Sequence, residues 1–86
     1  MNIGVVCPNQ PKPVLPRKAL AEGISGEVMA RATIKGGKVV SVDIISSKPR
    51  GVFDAAVRSA MMQYSCQTSG DEVLYADQPF EFKVGE

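Results

Sequence analysis

The sequence predicts an α+β fold with the element order αββαβ: one three-stranded antiparallel sheet with two helices packed on one face. Three observations carry this expectation. Gly26 to Ile34 alternates, with Val28, Ala30, Ala32 and Ile34 on one side and Glu27, Met29, Arg31 and Thr33 on the other, the period of a half-buried strand. From Val52 the apolar period changes to 3.6, so that Phe53, Ala56, Val57, Ala60, Met61 and Tyr64 share one helix face. Val73 to Val84 then returns to an extended pattern, with Phe80, Phe82 and Val84 facing the core and Glu81 and Lys83 facing outward.

The elements follow in order. Residues 1–13 hold Pro8, Pro11 and Pro13 around Asn9 and Gln10, which reads as an extended, polyproline-like lead-in outside the core; the folded domain is expected over residues 14–86. Leu15 to Glu22 predicts a short helix, with Pro16 suited to the first helical position and Gly23 to the position past the end. Ala19, Leu20 and Gly23 are its expected buried face. Lys35-Gly36-Gly37-Lys38 predicts a hairpin turn, because glycine accepts the positive φ that such turns require. The return strand is the β-branched run Val39 to Ser47, ended by Pro49 and Gly51. In the second helix Asp54 occupies the first turn, where a carboxylate complements the helix dipole. Residues 67–72, with Gly70, are turn material, and Pro79 confines the last strand to an edge or delays its start.

Size and charge exclude several classes. A chain of 86 residues buries only roughly 60–65% of its unfolded surface, so a covalent staple matters to its stability. A net charge of +1 gives no footprint for nucleic acid or acidic lipid. The charge is unevenly placed: residues 1–70 sum to +5 and residues 71–86 to −4, which makes the last segment acidic. No apolar run reaches the ~18–20 residues of a membrane-spanning helix. Met1 to Val6 is too brief for a signal peptide, so any export or anchoring segment is expected outside this sequence. With no histidine and only two cysteines, a closed zinc site and the commonest general base are both missing. Asp43 and Asp54 lack an acid/base mate and Ser46-Ser47 lack a base, so no catalytic constellation and no cofactor site is expected. Gly36-Gly37 lacks the strand-to-helix context of a phosphate loop. Lys48 and Arg50, with Arg17 and Lys18, form a solvated surface or a basic patch for an acidic partner. Met61 falls on the buried helix face, and Met62 is open.

A family resemblance rests on the order of several of these segments. Leu15-Pro16, Gly23-Ile24-Ser25-Gly26-Glu27-Val28, Gly37-Lys38-Val39, Val42-Asp43-Ile44, Ser46-Ser47 and Phe53-Asp54-x-Ala56-Val57-x-x-Ala60 together resemble the C-terminal domain of the TonB family. The match is good over residues 13–64 and topological over 65–84. Two segments depart from the pattern. Leu15-Pro16 stands where the family has Tyr-Pro, and Gln63-Tyr64-Ser65-Cys66-Gln67 replaces its Trp-Arg-x-x-Pro segment, with Tyr64 in the aromatic's place. The resemblance implies a non-enzymatic periplasmic module of an inner-membrane-anchored protein. Such a module binds outer-membrane receptors and couples them, through an ExbB/ExbD-type motor reached by an N-terminal segment, to uptake of iron chelates or vitamin B12. It also implies capture of a receptor segment, the TonB box, as a strand added beside the last strand, here Phe80, Glu81, Phe82, Lys83 and Val84. A structural adaptor in an envelope complex, TonB-like or TolA-like and without energy transduction, is the alternative. An open edge also admits a strand-paired homodimer.

Cys7 and Cys66 admit two readings: a redox pair, or a disulfide tying the lead-in to the end of the second helix. Their separation far exceeds Cys-x-x-Cys spacing and an oxidising periplasm favours pairing, so the staple is the expectation.

Overall fold

The computed structural model describes residues 7–68 and 71–84; Met1 to Val6, the expected turn residue Gly70 and the acidic Glu86 lie outside the described residues. The elements are α1 (Arg17–Glu22), β1 (Gly26–Lys35), β2 (Lys38–Lys48), α2 (Asp54–Met61) and β3 (Val73–Phe82). The three strands form one antiparallel sheet in the order β2-β1-β3, so the central strand is the first in sequence. The predicted α+β order is the one found.

The period-two pattern of β1 sets the core. Val28, Ala30, Ala32 and Ile34 are all buried beneath the helices, and all four are small or β-branched, which lets α2 lie close to the sheet. The same face receives Val39 from β2 and Ala76 and Phe82 from β3. The β1–β2 turn works as expected, with Gly36 at φ 60° and Gly37 at φ 79°.

Helix α2 buries Val57, Ala60 and Met61, while Phe53 before it and Tyr64 after it complete the predicted stripe. It is shorter than Val52 to Tyr64: Phe53 caps it, and its end tightens into turns in which Gln63 N–H donates to Ala60 and Tyr64 N–H to Met61. Phe53 stacks on Phe82 with ring centroids 4.3 Å apart and planes within 6°. Beneath this stack Gly26 lies opposite Phe82. A β-carbon on Gly26 would strike the Lys48 carbonyl oxygen and come within 2.8 Å of the Phe53 ring.

Three expectations need correction. Helix α1 starts at Arg17 and not Leu15, because Pro16 keeps an extended ψ of 145° and serves as the cap. With fewer than two turns, it buries Ala19 alone, and Leu20 points to solvent. Of the two places expected for Pro79, the edge is the one found: it lies opposite Met29 within β3, which already begins at Val73. The lead-in is extended but not outside the core: Cys7 is fully buried and disulfide-bonded to Cys66, and Ser65 N–H donates to the Asn9 carbonyl at 3.0 Å.

Two stability predictions follow from this packing. Gly26→Ala should destabilise the domain by about 3 kcal/mol, because the obstructing atom is backbone. Gly36→Ala meets open space and should cost only about 1 kcal/mol, for its positive φ. Chemical denaturation of both variants checks the contrast, and equal losses would show that Gly26 is not in the close contact described. Separately, the disulfide closes a sequence separation of 59 residues. Replacing both cysteines by serine should lower unfolding stability by up to about 4 kcal/mol, read from chemical denaturation with the midpoint and slope fitted together, since the uncrosslinked unfolded chain exposes more surface.

Candidate functional site

The sheet has two edges, and they differ. Strand β2 pairs with β1 through two register shifts, between Met29 and Ala30 and between Thr33 and Ile34. At these shifts Ile45 and Val40 have no partner on β1, so each is the extra residue of a β-bulge, about half exposed. Bulges bend and twist a strand, which blunts β2 as a template for further pairing. Strand β3 pairs with β1 from Gly26–Phe82 to Lys35–Val73 without a shift. Its outer edge is therefore the regular one.

Which main-chain groups that edge presents follows from the strand period. Val84 directs both its N–H and its C=O to Ser25 Oγ, at 2.9 and 3.2 Å, on the β1 side. Alternation then turns Phe80 and Phe82 toward β1 and Pro79, Glu81 and Lys83 outward. Pro79 has no N–H, and its carbonyl accepts from the Gln78 side chain at 3.1 Å. The open donor–acceptor pairs at this end of the edge are thus those of Glu81 and Lys83. Strand β3 itself ends at Phe82, with Lys83 and Val84 continuing just beyond it. Phe82 is buried and Phe80 half-buried, whereas Glu81 and Lys83 are exposed and form an ion pair at 3.6 Å.

Beside this edge lies a groove of about 530 Å3. Phe80, Glu81, Phe82 and Lys83 form one side. The other is the lead-in, from Gln10 to Pro13, with Leu15 and Tyr64. Burial raises the Tyr64 hydroxyl above its ordinary pKa, so it stays neutral and presents an apolar ring with a polar tip. None of these partners is among the site residues expected from the sequence. Their signal was the pair Cys7 and Cys66, which carries the lead-in to the end of α2 and so alongside β3.

The sheet face away from the helices carries charged rows. Arg31 holds Asp77 through two bonds of 2.7 and 3.2 Å, which raises the guanidinium and lowers the carboxyl pKa; Asp43 lies across from Arg31 on β2. Glu27 sits opposite Glu81, a like-charge pair that Lys48, on the other flank of Glu27, and Lys83 offset. The basic residues Lys48 and Arg50 do gather, but with Arg58 and Asp54 at the β2 edge; Arg17 and Lys18 do not line that concavity. Among the described residues no three potential metal ligands cluster, and no helix is long and apolar enough to cross a membrane.

Comparison with known proteins agrees with this architecture. The family profile described as Gram-negative bacterial TonB protein C-terminal matches residues 11–84. Protein TonB of Pseudomonas aeruginosa PAO1 is 35% identical over 77 residues, covering 84% of this chain and 22% of that protein. Protein TonB of Yersinia enterocolitica is 35% identical over 54 residues, covering 62% of this chain and 21% of that protein. The chain thus spans about a fifth of the length of these relatives. The solution structure of the Pseudomonas aeruginosa TonB C-terminal domain superposes with a TM-score of 0.75 at 31% identity, covering 91% of this chain and 84% of that one. The order of elements, the hairpin glycines and the profile match over almost the whole described chain agree: this chain belongs to the family of TonB C-terminal domains.

Proposed function

We propose that this domain is the periplasmic receptor-binding module of a TonB-type energy transducer, and that it captures an extended outer-membrane receptor segment as a fourth strand on β3. The observation that carries the reading is the asymmetry of the sheet. One edge is broken by two bulges, and the other runs ten residues in register and offers Glu81 and Lys83 outward. Strand addition draws its affinity from main-chain hydrogen bonds, so it needs a straight edge more than any particular side chain. Pro79 suits this role as well. It removes one donor from the edge, which discourages indiscriminate pairing, and it confines capture to the C-terminal end of the strand.

In this reading the domain sits in the periplasm and belongs to a protein anchored in the inner membrane. An ExbB/ExbD-type motor acts through a segment N-terminal to the domain, and the captured receptor segment is the point at which force reaches the outer membrane. No step of this requires catalysis or a cofactor from the domain. A second copy of the chain could occupy the same edge, but β3 is acidic through Asp77 and Glu81. Two copies would set these acids side by side, which favours the receptor segment as occupant.

The test is an NMR titration of the oxidised, labelled domain with a synthetic TonB-box peptide from an outer-membrane iron-chelate receptor of Pseudomonas aeruginosa. Saturable shifts should centre on Glu81 and Lys83. Glu81→Pro removes an outward donor without touching the β1 ladder, so the variant should stay folded and bind roughly tenfold more weakly. No shifts at millimolar peptide, or shifts confined to β2, would overturn strand capture on β3 and leave the adaptor reading.

A further inference from the structure

The groove beside β3 has a second wall whose composition is unusual for its place. The lead-in runs alongside the edge strand, yet its β-bridge is to Ser65 and not to β3. Prolines explain why. Pro8, Pro11 and Pro13 lack the N–H groups that a ladder requires, so this segment lies next to an open edge without closing it. It is nevertheless held in place. The Cys7–Cys66 disulfide fixes its start, the Ser65 N–H bond to Asn9 fixes the next turn, and Gln10 Nε2 donates to the Cys7 carbonyl at 2.7 Å. Proline also limits the freedom that an unpaired segment would otherwise have. The result is a stiff rail on the helix side of the edge, across the groove from Phe80 and Phe82.

Side chains of a strand added to β3 alternate between the two faces of the sheet. Those on the helix side enter the space between Phe80 and Phe82 and the rail, over Tyr64. Those on the opposite side stand beside Glu81 and Lys83 in solvent. We propose that Pro11 and Pro13, pinned by the disulfide, are specificity-determining residues of the acceptor groove: they clasp the inward side chains of the captured segment and select apolar residues at alternate positions. The inference rests on the strand-capture reading and adds a binding element that the main chain of β3 does not provide. It also gives the disulfide a task besides stability, since it holds the rail ready before the segment arrives, and preordered walls raise affinity by reducing the ordering cost of binding.

The experiment uses the same TonB-box peptide with the disulfide-bonded domain. Bound peptide should show intermolecular NOEs from its alternate apolar side chains to Pro11 and Pro13 as well as to Phe80 and Phe82. The double substitution Pro11→Gly/Pro13→Gly keeps the disulfide and the β3 edge. It should stay folded by circular dichroism, with a thermal midpoint only a few degrees lower because the unfolded chain gains freedom, and bind roughly fivefold more weakly at a temperature well below that midpoint. Replacing both cysteines by serine should weaken binding at least as much, measured at a temperature where circular dichroism shows the variant folded. A peptide whose inward apolar residues are changed to serine should lose the difference between the native domain and the glycine variant. If the peptide shifts Glu81 and Lys83 but gives no NOE to Pro11 or Pro13, and binds the glycine variant as tightly as the native domain, the clasp is wrong and strand capture stands. If the native domain shows no binding, strand capture fails and the clasp with it.

Discussion

The close approach at Gly26 is the constraint on which the rest depends. Gly26 leaves no room for a β-carbon between the Lys48 carbonyl and the Phe53 ring, and Phe53 in turn lies flat on Phe82. Three elements are therefore locked at one point: the start of the central strand, the cap of α2 and the end of β3. Because the stack is parallel and tight, the cap of α2 packs directly on the C-terminal end of β3. That end is where Glu81 and Lys83 present their main chain. Phe80 extends the same contact, its ring 6.4 Å from that of Phe82, so the edge rests on an aromatic floor. A small domain has little area with which to stiffen a sheet edge, and here the stiffening is concentrated where the candidate site lies.

The two edges show how a three-stranded sheet limits unwanted pairing while keeping one side available. Blunting β2 by bulges costs ladder regularity at Val40 and Ile45 and leaves two β-branched side chains in solvent. A straight β2 with the same composition, rich in valine and isoleucine, would be an aggregation hazard. β3 is protected differently, by Pro79 and by acidic residues, which disfavour some partners without deforming the strand. The charged rows on the open face add to this. Arg31 between Asp43 and Asp77, and Glu27 between Lys48 and Glu81, keep that face polar enough to need no further layer.

Much of this was legible in the sequence where the signal is local. The alternation of β1 and the glycine pair at residues 36 and 37 specify the hairpin, because period and turn chemistry agree over adjacent residues. The α2 stripe was legible for the same reason, although its ends were not, since Phe53 is buried as the N-cap and Tyr64 in the turns beyond Met62, neither within the helix. What escaped was set by contacts between distant segments. Val40 and Ile45 look like ordinary strand residues, and only their register against β1 marks them as bulges. Leu20 has the chemistry of a core residue, but a six-residue helix has no room for a second buried position. The edge strand as a candidate site could be read from its acidic, proline-marked pattern; the opposing wall of its groove could not, because proline-rich composition signals extension and says nothing of where the extended segment lies.

The segment that departs from the family pattern shows how that wall is placed. Residues 63–67 lack the family's tryptophan and proline, yet they tie together three parts of the fold. Tyr64 is buried beside the groove, Ser65 bridges both Asn9 and Lys38, and Cys66 donates its N–H to the Gly37 carbonyl at 2.8 Å while its sulfur holds Cys7. Gly37 N–H in turn donates to Thr68 Oγ1 at 2.7 Å, so the hairpin turn and the closing segment grip each other from both sides. A tryptophan in this position would fasten the helix end through one large buried surface. Here a smaller aromatic, a disulfide and a set of main-chain bonds divide that task, and the division brings in the lead-in as a structural member. Removing the disulfide alone therefore removes the covalent tie on the lead-in and leaves it the Ser65 N–H bond to Asn9, whereas the hairpin keeps its turn and its hold on residues 65–68. The consequence is directional: the stability of the whole domain and the shape of the groove are linked to Cys7–Cys66, whereas the register of the acceptor edge is set by its ladder with β1.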